Sequence, residues 1–360
     1  MSRGIVIFLT DIFRPPQPPS TNAGRRAECG ERKGQELGPM SNRSHRWARP
    51  RCNLAVVCAA IMWMMAVTLA EAAPAPFRLT LEPDFVTLFE GEYPVFRYVR
   101  GEILAPGAPE DRRRSTYIHP LYSVDDLPLT DDFPTDHLHH RGVSWMWYRV
   151  ACDGITTDLW TLKGVRQRFE RMLTPALYED RAVLRFRNGW YQDADGKRIL
   201  EERVTLTAHR AEGGGRIIDV ELLFSAPGSP VTLGVSNTGY SGFGVRFGPC
   251  DSKTILTSTG PITADENRNP HRWADFTARF TDTLRLDGIT VFDHPSNPNS
   301  PPGWTLRFYG YLNPAFTSRT DDYTIRAGEP LRLRYRLWVH RGRPSAERLE
   351  QIYQDFARRK

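Results

Sequence analysis

The chain has 360 residues, 40% of them hydrophobic and 11% aromatic, with a formal charge of +6 and a pI near 9.1. Ten of the 48 Lys/Arg and five of the 42 Asp/Glu fall within residues 1–72, so 38 bases and 37 acids remain beyond and the excess positive charge belongs to the leader. The near-neutral remainder excludes the basic footprint of a nucleic-acid binder, and at about 290 residues it is long enough to bury a core without metal or disulfide support.

Residues 1–39, with Pro15-Pro16 and Pro18-Pro19 and few periodic apolar positions, read as a disordered extension or as sequence upstream of a start at Met40. Residues 40–72 read as a signal peptide. Arg43, Arg46, Arg49 and Arg51 precede an uncharged run from Leu54 to Ala70, and Ala70-Glu71-Ala72 follows, placing cleavage after Ala72 or Ala73. This implies a periplasmic or secreted protein; a membrane enters only if the segment stays uncleaved as an anchor. Of five cysteines, Cys152 and Cys250 lie beyond the leader, where they can pair or stand as separate buried thiols.

From 73 to 360 we expect one all-β domain, a large antiparallel β-sandwich. Short alternating runs such as Phe85 to Phe89, Pro94 to Val99, Ala182 to Phe186, Ile217 to Phe224, Thr305 to Tyr309 and Leu331 to Val339 are bounded by Gly, Pro, Asp and Asn clusters. The stretches from Gly101 to Asp136 and from Asp293 to Gly303 are too polar and Pro-rich for strands and read as functional loops. One helix closes the chain, capped by Ser345 after Pro344, with Leu349, Ile352, Tyr353 and Phe356 on one face.

Chemistry concentrates between Tyr117 and Trp160. His119-Pro120, the run DHLHHRG from Asp136 to Gly142, and Asp158-Leu159-Trp160 put four of the nine histidines within 22 residues. On an extended segment His137 and His139 share one side and His140 takes the other. With Asp136 nearby they suit acid/base catalysis, with Asp158 as a further candidate. With a third ligand drawn from His119, Asp158 or His294 they suit a divalent metal. A bland alternative is a hydrogen-bonded loop holding Arg141. Further polar groups lie in YSGFGVRF (Arg246), in WADF (Asp275) and in FDHPSNPNSPPGW (Asp293, His294, Asn297, Trp304). Trp beside Asp, Asn, Arg and His suits a sugar, the ring stacking on a pyranose face. Walker A, dinucleotide Gly-rich, G-x-S-x-G and C-x-x-C motifs are absent from the sequence.

The ordered motifs His119-Pro120, DHLHHRG, DLW, YSGFGVRF, WADF and DHPSNPNSPPGW resemble the bacterial PmoA-like family, named after a methane-oxygenase subunit. That resemblance implies a β-rich protein, with a mutarotase-like supersandwich suspected, in bacteria that degrade polysaccharides. It points to a carbohydrate-related role. The oxygenase label itself conflicts with the sequence, because methane oxidation belongs to a helical membrane copper protein and a chain beginning with Ala offers no N-terminal histidine brace. The resulting expectation is an exported carbohydrate enzyme (hydrolase, lyase or epimerase) in which His137, His139 or His140 act on a small-molecule or glycan substrate. Arg141 and Arg246 would orient that substrate and Trp160 or Trp304 would stack on it. A non-catalytic glycan-binding sandwich and a metal-dependent oxidase using His119, His137, His139 and His294 are the alternatives. The His-rich segment and the Pro-rich loop are expected to meet in one cleft.

Overall fold

A computed structural model describes residues 76–280, 283–317 and 322–359. The expected extension and signal peptide, with its cleavage point, lie outside the described residues. Among the described residues the alternating runs form strands of two large antiparallel sheets. The first runs in the order Phe77–Leu81, Phe85–Glu90, Tyr93–Val99, Tyr117–Leu121, Val143–Trp147, Ser241–Arg246, Tyr311–Ala315, Gly303–Arg307 and Glu266–Pro270. The second runs Gly260–Ile262, Cys250–Thr257, Trp273–Phe280, Asp287–Asp293, Leu331–Arg341, Gly215–Ser225, Arg198–His209, Arg181–Gln192 and Val165–Met172, with Ala176–Leu177 paired beside Arg181–Gln192. A small third sheet joins Tyr323–Ile325, Val231–Gly234, Arg149–Cys152 and Ile155–Thr157.

The two large sheets face each other as a sandwich, because each presents its alternate residues to a common core. Tyr98 stacks on Phe186 at 3.8 Å, Trp147 meets Trp190 and Phe224 at 5.6 Å each, Phe243 stacks on Tyr335 at 4.4 Å and Phe247 on Phe276 at 4.1 Å. Period-two alternation then decides what lies outside. On Val143–Trp147 the residues Val143, Trp145 and Trp147 enter the core, while Met146 joins an outer cluster with Trp160 and Tyr311.

The expected helix is Ala346–Ala357, with the Ser345 hydroxyl accepting from the Arg348 amide at 3.2 Å. Its buried residues Leu349, Ile352, Tyr353 and Phe356 cover Trp273, Phe292 and Trp338 on the outside of the second sheet. The stretch from Gly101 to Asp136 is not wholly a loop: it contains the strand Tyr117–Leu121, whose Pro120 and His119 mask a pattern in which Ile118 and Leu121 enter the core. Cys152 and Cys250 are separate free thiols, on Arg149–Cys152 and Cys250–Thr257 in different sheets.

Candidate functional site

The outer face of the first sheet carries the histidine run. Residues 131–142 cross it, and Arg141 holds them from beneath. Arg141 is fully buried. It donates to the carbonyls of Leu138 (2.8 Å), His140 (2.6 Å) and Arg112 (2.7 Å), and its guanidinium lies 3.5 Å from the Phe133 ring centroid. With every one of these contacts made to the protein itself, Arg141 positions the loop and is not placed to orient a substrate as expected.

Above it the three imidazoles form one aromatic stack. His137 lies parallel to His140 at 4.6 Å and to Tyr309 at 5.0 Å, and His139 meets His140 edge-on at 4.7 Å. His140 in turn stacks on Tyr311 at 4.7 Å and lies 5.9 Å from Trp160. The loop is therefore not extended, and the expected segregation of His140 from the other two does not occur. Burial pushes His139 down to about 4, helped by His137 and by Arg114, Arg112 and Arg141, and it holds His140 lower still, so both imidazoles are neutral at neutral pH.

Asp136 binds this stack to the sheet. Arg246 Nη2 donates to both its carboxylate oxygens, at 2.8 and 3.0 Å, while His137 Nδ1 stands 3.0 Å from Oδ2. Burial works to raise the Asp136 carboxyl, but the nearby His137 imidazole and the hydrogen bonds from Arg246 lower it from its ordinary value. Arg246 also lies over the Tyr309 ring at 4.8 Å. Beside this wall opens a cleft of about 350 Å³ lined by Asp131, Asp136, Arg246, Cys250, Lys253 and Tyr309 among others.

Around Trp160, beneath the histidines, lie further tyrosines. Tyr148 stacks on Trp160 at 5.0 Å, Tyr240 lies 5.5 Å from Trp160, and the Tyr240 and Tyr309 hydroxyls are 3.3 Å apart. Arg307 Nε donates to the Tyr240 hydroxyl at 2.9 Å. Burial raises the Tyr309 and Tyr311 phenols well above the ordinary range and Tyr148 to about 12, so all three stay protonated. Gly244 of YSGFGVRF makes room for these rings: a Cβ there would come within 2.2 Å of the Tyr311 hydroxyl. Several buried polar atoms here have no hydrogen-bond partner among the described residues, namely His137 Nδ1, His140 Nδ1, Trp160 Nε1, Tyr311 Oη and Arg246 Nε and Nη1.

The remaining candidates lie elsewhere. His119 projects from Tyr117–Leu121, its Nδ1 3.1 Å from the Thr130 hydroxyl, and burial lowers it to about 4. Asp158 caps a turn, accepting from the Thr161 amide (3.0 Å) and hydroxyl (2.6 Å). Trp160 is fully buried beneath the histidines and Trp304 is a core residue whose Nε1 donates to the His271 carbonyl at 2.7 Å, so neither offers a face for stacking. Tyr148, Tyr240 and Tyr309 are the half-buried rings here, and the sequence points to the last of them through Tyr309-Gly310-Tyr311, the turn that leads into the strand paired with YSGFGVRF.

Asp275 is buried on the outside of the opposite sheet, bonded to Thr277 (2.7 Å), Thr290 (2.8 Å) and His340 (2.8 Å). Asn297 donates to Asp293 at 2.7 Å and to the Arg334 carbonyl at 2.9 Å and accepts from the Arg334 amide at 2.7 Å, which pins the Pro-rich loop. His294 packs edge-on to Phe356 at 4.8 Å, with Nε2 3.1 Å from the Arg359 carbonyl. The Pro-rich loop therefore belongs to the second sheet and its helix, and the two segments do not share a cleft among the described residues. The expected metal set falls with it: His119, His137, His139 and His294 are not brought together, and no group of three or more His, Cys, Asp or Glu among the described residues stands in metal-holding range.

Two solved structures show distant likeness: a GH36 alpha-galactosidase from Geobacillus stearothermophilus in complex with raffinose (TM-score 0.35, 13% identity, 74% of this chain and 40% of that one) and a protein assigned as a kojibiose phosphorylase from the human microbiome (TM-score 0.34, 8% identity, 79% and 37%). The chain thus spans about two fifths of the length of the proteins it resembles, and at these scores the likeness carries no statement about activity. Among curated proteins none matches. The PmoA-like membership expected from the motif order is corrected by the family comparison, in which a different profile accounts for the motif-bearing region. That profile covers residues 86–354, and the chain belongs to the family of unknown function DUF6807.

Proposed function

We propose that the protein is an exported carbohydrate-active enzyme in which Asp136 and His137 move a proton at the cleft beside Arg246 and Tyr309. The observation that carries this reading is the Asp136–His137 contact at 3.0 Å, in which Asp136 lines a cleft of about 350 Å³, a size at the lower end of small-molecule sites. A carboxylate 3.0 Å from Nδ1, in ion-pair range though without hydrogen-bond geometry, favours the tautomer that carries its proton there, which leaves Nε2 as the proton acceptor. Tyr309, kept protonated by burial, supplies the opposing donor, with Tyr240 behind it.

Among hydrolysis, elimination and epimerisation this disposition favours the last two. A hydrolase of the two-carboxylate kind needs a free acid and a free base. Both oxygens of Asp136 are held by Arg246, whereas an imidazole and a phenol can take and return a proton at carbon. The tyrosine edges would receive the apolar face of the sugar ring. The same groups could bind a glycan without turning it over, and one experiment separates the two readings. Purified protein is incubated with oligosaccharides and products are followed by mass spectrometry, with His137→Ala and Tyr309→Phe as variants. Product from the wild type that is lost in both variants, with binding retained, is the expected result. Binding without product from any sugar would leave a binding module; product unaffected by His137→Ala would overturn the assignment.

A further inference from the structure

The cleft holds two cations, Arg246 and Lys253, and its two acids sit with the first of them. Asp136 has both oxygens engaged by Arg246 and Oδ2 also faces His137. Asp131, the other acid of the cleft, has its carboxyl pushed up by burial against the opposing pull of the Asp132 amide and Arg246, and its Oδ1 accepts from that amide at 2.9 Å. On the cationic side Arg246 is only 5% exposed, and its Nε and Nη1 have no partner among the described residues. Lys253 lines the same cleft half-buried, and no carboxylate among the described residues pairs with it; its neighbour Asp251 is taken by Arg279 at 2.8 Å. A buried guanidinium with unused donors beside an ammonium that no carboxylate pairs with among the described residues, in a recess with low-dielectric walls, is a site for an anion.

We propose that the substrate is an acidic glycan, with the carboxylate of a uronate-type residue held by Lys253 and assisted by Arg246 while Tyr309 takes the sugar face. This inference rests on the carbohydrate reading of the same cleft and adds a chemical class to it. It also fits the proton chemistry, because a carboxylate neutralised by a cation acidifies the carbon next to it, and the unprotonated form of an imidazole can then remove that proton.

The test is titration calorimetry with a panel of matched oligosaccharides, each neutral sugar paired with its uronate counterpart, against the wild type, Lys253→Met and Lys253→Arg. One charge-assisted hydrogen bond corresponds to roughly tenfold in affinity. We expect the wild type to prefer the uronate member by about that factor at low salt, the preference to shrink as salt is raised, to vanish in Lys253→Met and to survive in Lys253→Arg. Equal affinities within each pair, or a preference undiminished in Lys253→Met, would overturn the inference while leaving a sugar-binding cleft. Failure of the wild type to bind any member of the panel would sink both readings.

Discussion

Arg246 Nη2 and Asp136 Oδ1 lie 2.8 Å apart across 110 residues of sequence, and this contact joins the histidine loop to the strand Ser241–Arg246. The arginine side chain is 7% exposed and the carboxylate 44%, so water screens one partner and not the other. Replacing Asp136 by Asn leaves a buried guanidinium short of its counter-charge, and replacing Arg246 by Met frees the loop. We expect a double-mutant cycle on chemical denaturation to give a coupling of about 1 kcal/mol. A coupling indistinguishable from zero would mean that the loop is held by Arg141 and the ring stack alone.

Arg141 makes the complementary contribution from below. Its donors serve three backbone carbonyls at 2.6–2.8 Å, and in Arg141→Met the aliphatic volume is retained while those carbonyls lose their partners. Asp132, 3.4 Å from Arg141 Nε and already raised to about 6 by burial, loses its cation as well. We expect a stability loss of roughly 2–4 kcal/mol by thermal or urea unfolding. A midpoint unchanged to within a degree would contradict the positioning role.

Strand positions and the capped helix were legible in the sequence because both are local: alternation reports burial on one face, and Ser345 followed by apolar residues at helical spacing reports a helix. The histidine loop was legible as a cluster for the same reason, since its members are neighbours in the chain. Alternation says inside or outside but does not say outside which sheet. Asp275 and Tyr311 both alternate outward, yet Asp275 meets His340 beneath the C-terminal helix while Tyr311 meets His140 on the other face of the sandwich. The Pro-rich loop was read as part of the site because its composition matches one. Its Asn297, Asp293 and Ser300 are instead consumed in bonding one another and Arg334. Tyr240 and Tyr309 are not legible as site residues because their segments read as strand, where tyrosine is ordinarily core, whereas Tyr240 stands just before Ser241–Arg246 and Tyr309 in the turn before Tyr311–Ala315.

Asp293 supplies a pH dependence whose sign can be worked out. Burial raises its carboxyl to about 7, against hydrogen bonds from Ser300 and Asn297 that act to lower it. Unfolded, it titrates near the ordinary value of about 3.9. Between those values the folded state holds a proton that the unfolded state has lost, so this residue's contribution is fully present below about pH 4 and disappears as pH rises through about 7. Asn imitates the protonated form at every pH. We expect Asp293→Asn to match the wild type at about pH 4 and to exceed its thermal midpoint increasingly towards about pH 8. A difference that is constant over this range would show that Asp293 does not titrate as described. Sugar turnover should be unaffected, because the residue lies with the second sheet.

The last expectation concerns Gly244. Glycine in a strand interior is ordinarily unfavourable, and its presence here answers to Tyr311 on the paired strand. A Cβ at Gly244 would stand 2.2 Å from the Tyr311 hydroxyl oxygen and 2.8 Å from Cζ. The ring cannot swing away, since it is 1% exposed and bounded by His140 at 4.7 Å, Tyr240 at 5.9 Å and Trp160 at 6.2 Å. Gly244→Ala therefore either displaces the tyrosine and the histidine stacked on it or bends the strand, at a cost of about 1–3 kcal/mol for overpacking. Gly228, where an added Cβ meets nothing within 4 Å, is the control. We expect Gly244→Ala to lower the thermal midpoint by several degrees and to weaken sugar binding, with Gly228→Ala neutral in both. Combining Gly244→Ala with Tyr311→Phe removes the hydroxyl oxygen that the new methyl meets first, so the double variant should recover part of the lost stability. If Tyr311→Phe gives no recovery, the strain lies in the backbone of Ser241–Arg246, and the account of glycine as space for the Tyr311 ring is wrong.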